Sequence, residues 1–157
     1  MKRQTMAALA LFAMACGGGD KGGQPQASAP APGAAAPQAA APAATGTVHE
    51  VKMELVSGQY RFDPKALTIK VGDTVKWINV SGGPHNVSFY KDKIPAGASD
   101  VLAKVMPNLQ QNLDGPFLTD SMAVYQVSFA GAPAGQYAYT CQPHEALGMN
   151  AALTITK

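Results

Sequence analysis

The sequence predicts an all-β domain, a sandwich or barrel of short strands, and three observations predict it. Apolar and polar residues alternate with a period of two in one segment after another, which marks strands with one buried face. Turn signals rich in glycine and proline separate those segments. Helical spacing is confined to one short stretch. Many short strands at this spacing suit a sandwich or barrel.

Taken in order, Val51, Met53 and Leu55 alternate with Lys52 and Glu54 before the turn pair Ser57-Gly58. Leu67, Ile69 and Val71 alternate with Thr68 and Lys70, and Val71-Gly72-Asp73 turns the chain into Val75 and Trp77, with Lys76 between them. Ser81-Gly82-Gly83-Pro84 is the next turn, followed by an apolar run from Val87 to Tyr90. From Asp100 to Leu109 the apolar residues Leu102, Val105, Met106 and Leu109 change to helical spacing. A short helix or helical turn is expected over 100–109, interrupted by Pro107, with its stripe packed on the sandwich. Tyr125, Val127 and Phe129 resume the alternation, and Gly131-Ala132-Pro133 ends it. Tyr137, Tyr139 and Cys141 share one face of a further strand, and Leu153 and Ile155 share one face of the last.

The domain read from these elements covers 47–157. Its charges balance: Lys2, Arg3 and Lys21 against Asp20, all ahead of it, account for the net +2 of the whole chain. A domain without a basic face is a poor nucleic-acid binder, and that class is set aside.

The first 46 residues read as an address and a tether. Lys2 and Arg3 precede the uncharged run Ala7–Ala15, too short to cross a bilayer but suited to the core of a signal peptide at 1–15. The Ala15-Cys16 junction resembles the lipobox of bacterial lipoproteins, with Ala13 where leucine is usual. Cys16 is therefore expected to carry a lipid anchor, with cleavage and release as the alternative. Residues 16–46 are rich in Ala, Pro and Gly and lack the side chains for a core, so they are read as a disordered linker. As a flexible coil it would span roughly 30 Å. It serves either as a tether that lets the domain swing between partners or as a passive spacer. The expected location is the cell envelope or periplasm, where a free thiol needs a metal, a lipid or a disulfide partner. A Cys16–Cys141 disulfide is the plain alternative for the two cysteines.

The stretch Cys141-Gln142-Pro143-His144-Glu145-Ala146-Leu147-Gly148-Met149 sets a thiolate, an imidazole and a thioether within nine residues, between two strands. Singly, each has an ordinary reading as core or surface. Together they form a soft donor set that favours copper over zinc, magnesium or calcium, and copper bound this way takes a second histidine. His85 is the candidate, because it follows the Gly82-Gly83-Pro84 turn and opens the next apolar run. His49, at the start of the domain, is expected to be a solvent-exposed bystander. Pro143 has no N–H and cannot donate to the Cys141 sulfur, which favours Cu(I) and a fairly high potential.

The segment resembles the ligand loop of the plastocyanins, type 1 (blue) copper proteins of the cupredoxin family. Their Cys-x-Pro-His-x-x-x-Gly-Met pattern is reproduced at Cys141, Pro143, His144, Gly148 and Met149. Gly83-Pro84-His85-Asn86-Val87 resembles the family's first-ligand segment, and Ile94-Pro95-Ala96-Gly97 the turn beyond it. Phe62-x-Pro64, Leu67-Thr68-Ile69 and Gly72-Asp73-Thr74-Val75-x-Trp77 resemble its early strands. The resemblance implies a Greek-key β-sandwich of about eight strands and a single-electron carrier with one copper ion on His85, Cys141, His144 and an axial Met149. It also implies that Asn86 ties the His85 segment to the Cys141 loop. The edge of His144 would reach solvent through an apolar patch that includes Tyr60, Pro84, Ala146 and Leu147, where redox donor and acceptor proteins dock briefly on a monomer.

Two departures separate the chain from the photosynthetic members. Thr140 stands where an aromatic residue often helps to form a second docking face, and no dense acidic cluster lies between His85 and Cys141. The reading is a bacterial plastocyanin-like carrier. Against it stand a copper storage, delivery or sensing module, a redox enzyme and a structural zinc domain. Storage sites are often Met- or His-rich, and only Met149 here has ligand spacing. An enzyme would need a second copper set or a Cys-x-x-Cys-His haem motif, and the sequence has neither.

Overall fold

The computed structural model describes residues 46–157. The leader read at 1–15, Cys16 and the linker up to residue 45 lie outside the described residues. The strands are β1 (Val48–Val56), β2 (Gln59–Asp63), β3 (Ala66–Lys70), β4 (Thr74–Asn79), β5 (Ser88–Phe89), β6 (Val124–Ser128), β7 (Gly135–Thr140) and β8 (Asn150–Thr156), with one helix, α1 (Ala98–Val105). They form two four-stranded sheets, β2-β1-β4-β6 and β3-β8-β7-β5. The chain passes from one sheet to the other at each step from β3 to β7, which gives a Greek-key sandwich. β1 pairs with β4, and β3 with β8, in parallel; the other named pairs are antiparallel.

The expected alternation survives folding. Val51, Met53, Ile69, Val75, Trp77, Val127, Tyr137, Tyr139, Leu153 and Ile155 are buried in one cluster. Aromatic edges join the two sheets: Tyr139 of β7 meets Trp77 of β4 at 5.7 Å and Phe62 of β2 at 4.8 Å between ring centroids. Such edge-to-face pairs add to what area burial already contributes.

Four local outcomes differ from the sequence reading. Leu55 is exposed while Glu54 is buried, because Glu54 lies opposite Arg61 on β2 and accepts from its Nε and Nη2 at 2.9 and 2.7 Å. The ion pair removes the cost of burying the carboxylate. The helix begins at Ala98 and ends at Val105, ahead of the expected span. Met106 is already extended, as a residue before proline tends to be. β2 itself, too short for its alternation to stand out, follows a two-residue turn in which Ser57 and Gly58 both take positive φ, as a twisted hairpin requires. His49 is not a bystander. Its Nε2 lies 2.9 Å from Asp73 Oδ2, and Asp73 also accepts the backbone N–H groups of Thr47 and Lys70 at 2.8 and 2.9 Å. That carboxylate fastens the start of β1 to the β3–β4 turn. It is held below its ordinary range by the Lys70 N–H first and His49 second.

Candidate metal centre

The candidate residues gather at one end of the sandwich, each placed by a different element. β7 and β8 are antiparallel with Thr140 opposite Asn150. Cys141 and Met149 therefore face each other just beyond the ladder, and the Cys141 N–H donates to the Met149 carbonyl at 3.1 Å. Between them the chain winds a short 3-10 helix, Gln142–Leu147, with Pro143 in its first turn. Gly148 stops it in the left-handed region at φ 83°, a conformation that favours glycine. His85 enters from the segment between β4 and β5. It pairs with Leu118, its N–H donating at 3.1 Å and its carbonyl accepting at 2.7 Å. Buried Asn79 braces that partner, donating from Nδ2 to the carbonyls of Leu118 and Asp120 at 2.9 and 3.0 Å.

These elements bring three donor atoms together. Nδ1 of His85 and Nδ1 of His144 each lie 3.4 Å from Cys141 Sγ, and one ligand atom from each residue falls within 4.8 Å of the other two. His85 and Cys141 are fully buried, and His144 keeps 8% exposure. Met149 is buried beside them. The Nε2–H of His85 donates to the Ser81 carbonyl at 2.9 Å. That bond fixes the tautomer and leaves the Nδ1 lone pair free to coordinate, the usual arrangement for a ligating imidazole.

Burial lowers the pKa of His85, opposed by the Ser81 bond, and lowers that of His144, helped by repulsion from His85. Burial raises the Cys141 thiol, opposed by the backbone N–H groups of Asn86 and His144. Two neutral imidazoles and a thiol thus converge in a dry pocket, and a cation entering there would displace the thiol proton. The donor set fits copper.

Asn86 joins the two ligand segments. Its Oδ1 accepts the Gln142 N–H at 2.9 Å, and its Nδ2 donates to Gln142 Oε1 at 2.7 Å. Gln142 Nε2 continues to Asp114 at 3.2 Å, and Asp114 accepts from Ser88 at 2.5 Å. Sequence reading named Asn86 but missed Gln142 and Asp114. Asp114 is 28 residues from Gln142, and no local pattern links them. Pro143 supplies no N–H to the sulfur, and the His144 N–H donates to the Cys141 carbonyl at 3.0 Å.

Tyr60 lies flat on His144, with ring centroids 3.7 Å apart and 10° between planes. Pro84, Ala146 and Leu147 are exposed around this end, Leu147 at 64%. Phe117, next to the Leu118 that pairs with His85, is 52% exposed and was not anticipated; an aromatic residue flanked by Pro116 was the available signal.

Comparison with known proteins gives a consistent result. The family described as copper binding proteins, plastocyanin/azurin family, matches residues 49–156. A plastocyanin from Scenedesmus fuscus is 35% identical over 105 residues, covering 67% of this chain and 96% of that protein. A plastocyanin from Synechococcus sp. is 38% identical over 106 residues, covering 68% and 71%. Among solved structures, oxidised plastocyanin from Dryopteris crassirhizoma superposes with a TM-score of 0.53 at 24% identity, covering 69% of this chain and all of that one. That likeness bears on the fold.

Proposed function

The chain belongs to the plastocyanin/azurin family of copper-binding proteins, and from that premise we propose that His85, Cys141, His144 and Met149 hold its single type 1 copper ion. The observation that carries this assignment is the convergence of His85, Cys141 and His144 on one buried volume, within 4.8 Å of one another. When bound, copper supplies a one-electron couple between Cu(II) and Cu(I), and the chain is a copper electron carrier. The protein's own part is to keep the donors still. Ser81 and Leu118 hold His85, the β7–β8 register holds Cys141 against Met149, and Asn86 locks the two segments together. Donors on strand ends and a capped short helix move less than donors on a loose loop. With copper bound, Met149 would supply the thioether that tunes the potential, and Cys141 would carry most of the electronic coupling.

His144 is the port for electrons, at the centre of the patch formed by Tyr60, Pro84, Ala146 and Leu147. A small apolar face suits the brief encounters of redox donor and acceptor proteins. The protein works as a monomeric carrier and not as an enzyme, shuttling in the cell envelope on a lipid anchor at Cys16. Among the described residues no helix is long and apolar enough to cross a membrane. Fatty-acid labelling of cells should mark the wild type and not Cys16→Ala, and label on the variant would remove the anchor.

The competing reading is a storage or delivery module with an exchangeable ion. Repeated oxidation and reduction of the loaded protein beside a strong Cu(I) chelator separates the two. The carrier keeps its copper through many cycles, whereas transfer to the chelator on first reduction would favour storage.

A further inference from the structure

We propose that the outer face of the β3-β8-β7 sheet is a second docking surface, one that receives an acidic face of a redox protein. The proposal deepens the carrier reading and rests on it. Ala66, Ala152 and Ala138 lie directly opposite one another across three strands, at positions that alternate with the buried Leu153, Tyr137 and Tyr139 and so point outward. Larger side chains are the rule on strands, alanine being depleted there. The row floors an apolar cleft of about 570 Å³.

The rim of the cleft gives the occupant its sign. Lys65 and Lys93 line it, and no carboxylate does. Tyr90 forms its wall, with the Lys93 ammonium 4.4 Å from the ring centroid. Lys91 and Asp92, both exposed on the adjoining 3-10 turn, offset each other. Glu145 accepts from the Tyr90 hydroxyl at 2.6 Å. The neighbouring cleft of about 440 Å³ has Asp63 beside Arg61 and Lys65, and its mixed charge selects no partner sign. An apolar floor between two ammonium groups complements carboxylates set around an apolar contact. A concave surface floored by outward-facing alanines suits a protruding protein edge and not a flat bilayer.

Position adds the reason to dock there. Ala138 lies on β7, three residues before Cys141, which follows directly on the strand's end. Its carbonyl accepts the Tyr90 N–H at 3.1 Å, and through Glu145 the Tyr90 wall reaches the residue beside His144. A partner seated in the cleft therefore contacts the strand that ends in the sulfur, away from the Leu147 patch.

The test uses the full chain labelled with 15N, metal-free and copper-loaded, with an octaglutamate peptide as one probe and phosphatidylglycerol vesicles as the other. The peptide should shift the amides of Tyr90, Lys93, Ala138 and Ala152 in both forms. K65E/K93E should weaken that binding by about tenfold or more at low salt, and K65Q/K93Q by less, both keeping the wild-type visible absorption when loaded. Unchanged affinity in both variants, shifts confined to Ala146 and Leu147, or binding to vesicles without binding to the peptide would each overturn the proposal. A loaded protein without the visible band would count against the copper assignment and leave the metal-free result to decide the docking surface.

Discussion

Asn86→Ala offers a direct measure of how firmly the two ligand segments are tied. The carboxamide is 1% exposed and makes two good bonds to Gln142, at 2.9 and 2.7 Å, and a longer one to the Gly115 carbonyl at 3.4 Å. A net hydrogen bond contributes about 1 kcal/mol, and a buried partner left unpaired costs about 1–3 kcal/mol. Truncation strands the Gln142 N–H, while the exposed Gln142 side chain regains water. The sum is a loss of about 2–3 kcal/mol, or on the order of 10 °C in Tm for a domain of this size. Gln142→Ala keeps the backbone N–H bond to Asn86 and should cost about 1 kcal/mol. Urea unfolding of the metal-free proteins is the assay, since a bound ion would add its own linkage. A loss below about 0.5 kcal/mol for Asn86→Ala, or a larger loss for Gln142→Ala, would refute the tie.

Further outcomes follow from single residues. Gly148→Ala should destabilise by about 1 kcal/mol in the same urea series, because its φ of 83° is left-handed while nothing lies within 4 Å of an added Cβ. Asp73 has a lowered folded pKa, so its stabilisation is present above the ordinary carboxylate range and is lost as pH falls through the lowered value. Asp73→Asn should therefore be less stable than wild type near neutrality, and the gap should close below about pH 4. Met149→Leu should keep the colour of the loaded protein and raise its potential by voltammetry, since a donor that stabilises Cu(II) is lost. A lower potential would deny Met149 an axial role.

Much of this was legible in the sequence, because the information was local. Cys141, His144 and Met149 sit in one loop, and the strands that flank it alternate without a break. The turn at Ser81–Pro84 pointed to His85 for the same reason. What stayed hidden depends on pairs far apart in the chain. Tyr60 stacks on His144, His49 bonds to Asp73, and Asp114 braces Gln142. The resemblance placed Tyr60 in the patch but not its stacking, while His49 and Asp114 read alone as surface residues. Glu54 misled in the same way, since only its cross-strand Arg61 makes a buried carboxylate tolerable. The helix boundary moved because a proline restricts the residue before it, which periodicity alone does not register.

The visible absorption of the copper-loaded chain beside that of Cys141→Ser tests the central claim most directly. Thiolate-to-copper charge transfer requires copper on the Cys141 sulfur, and Nδ1 of His85 and of His144 each lie 3.4 Å from that sulfur. One equivalent of Cu(II) should turn the wild type intensely blue or green. The serine variant, folded by circular dichroism, should have lost that band. A wild type that stays colourless, or a variant that keeps the band, would contradict the assignment.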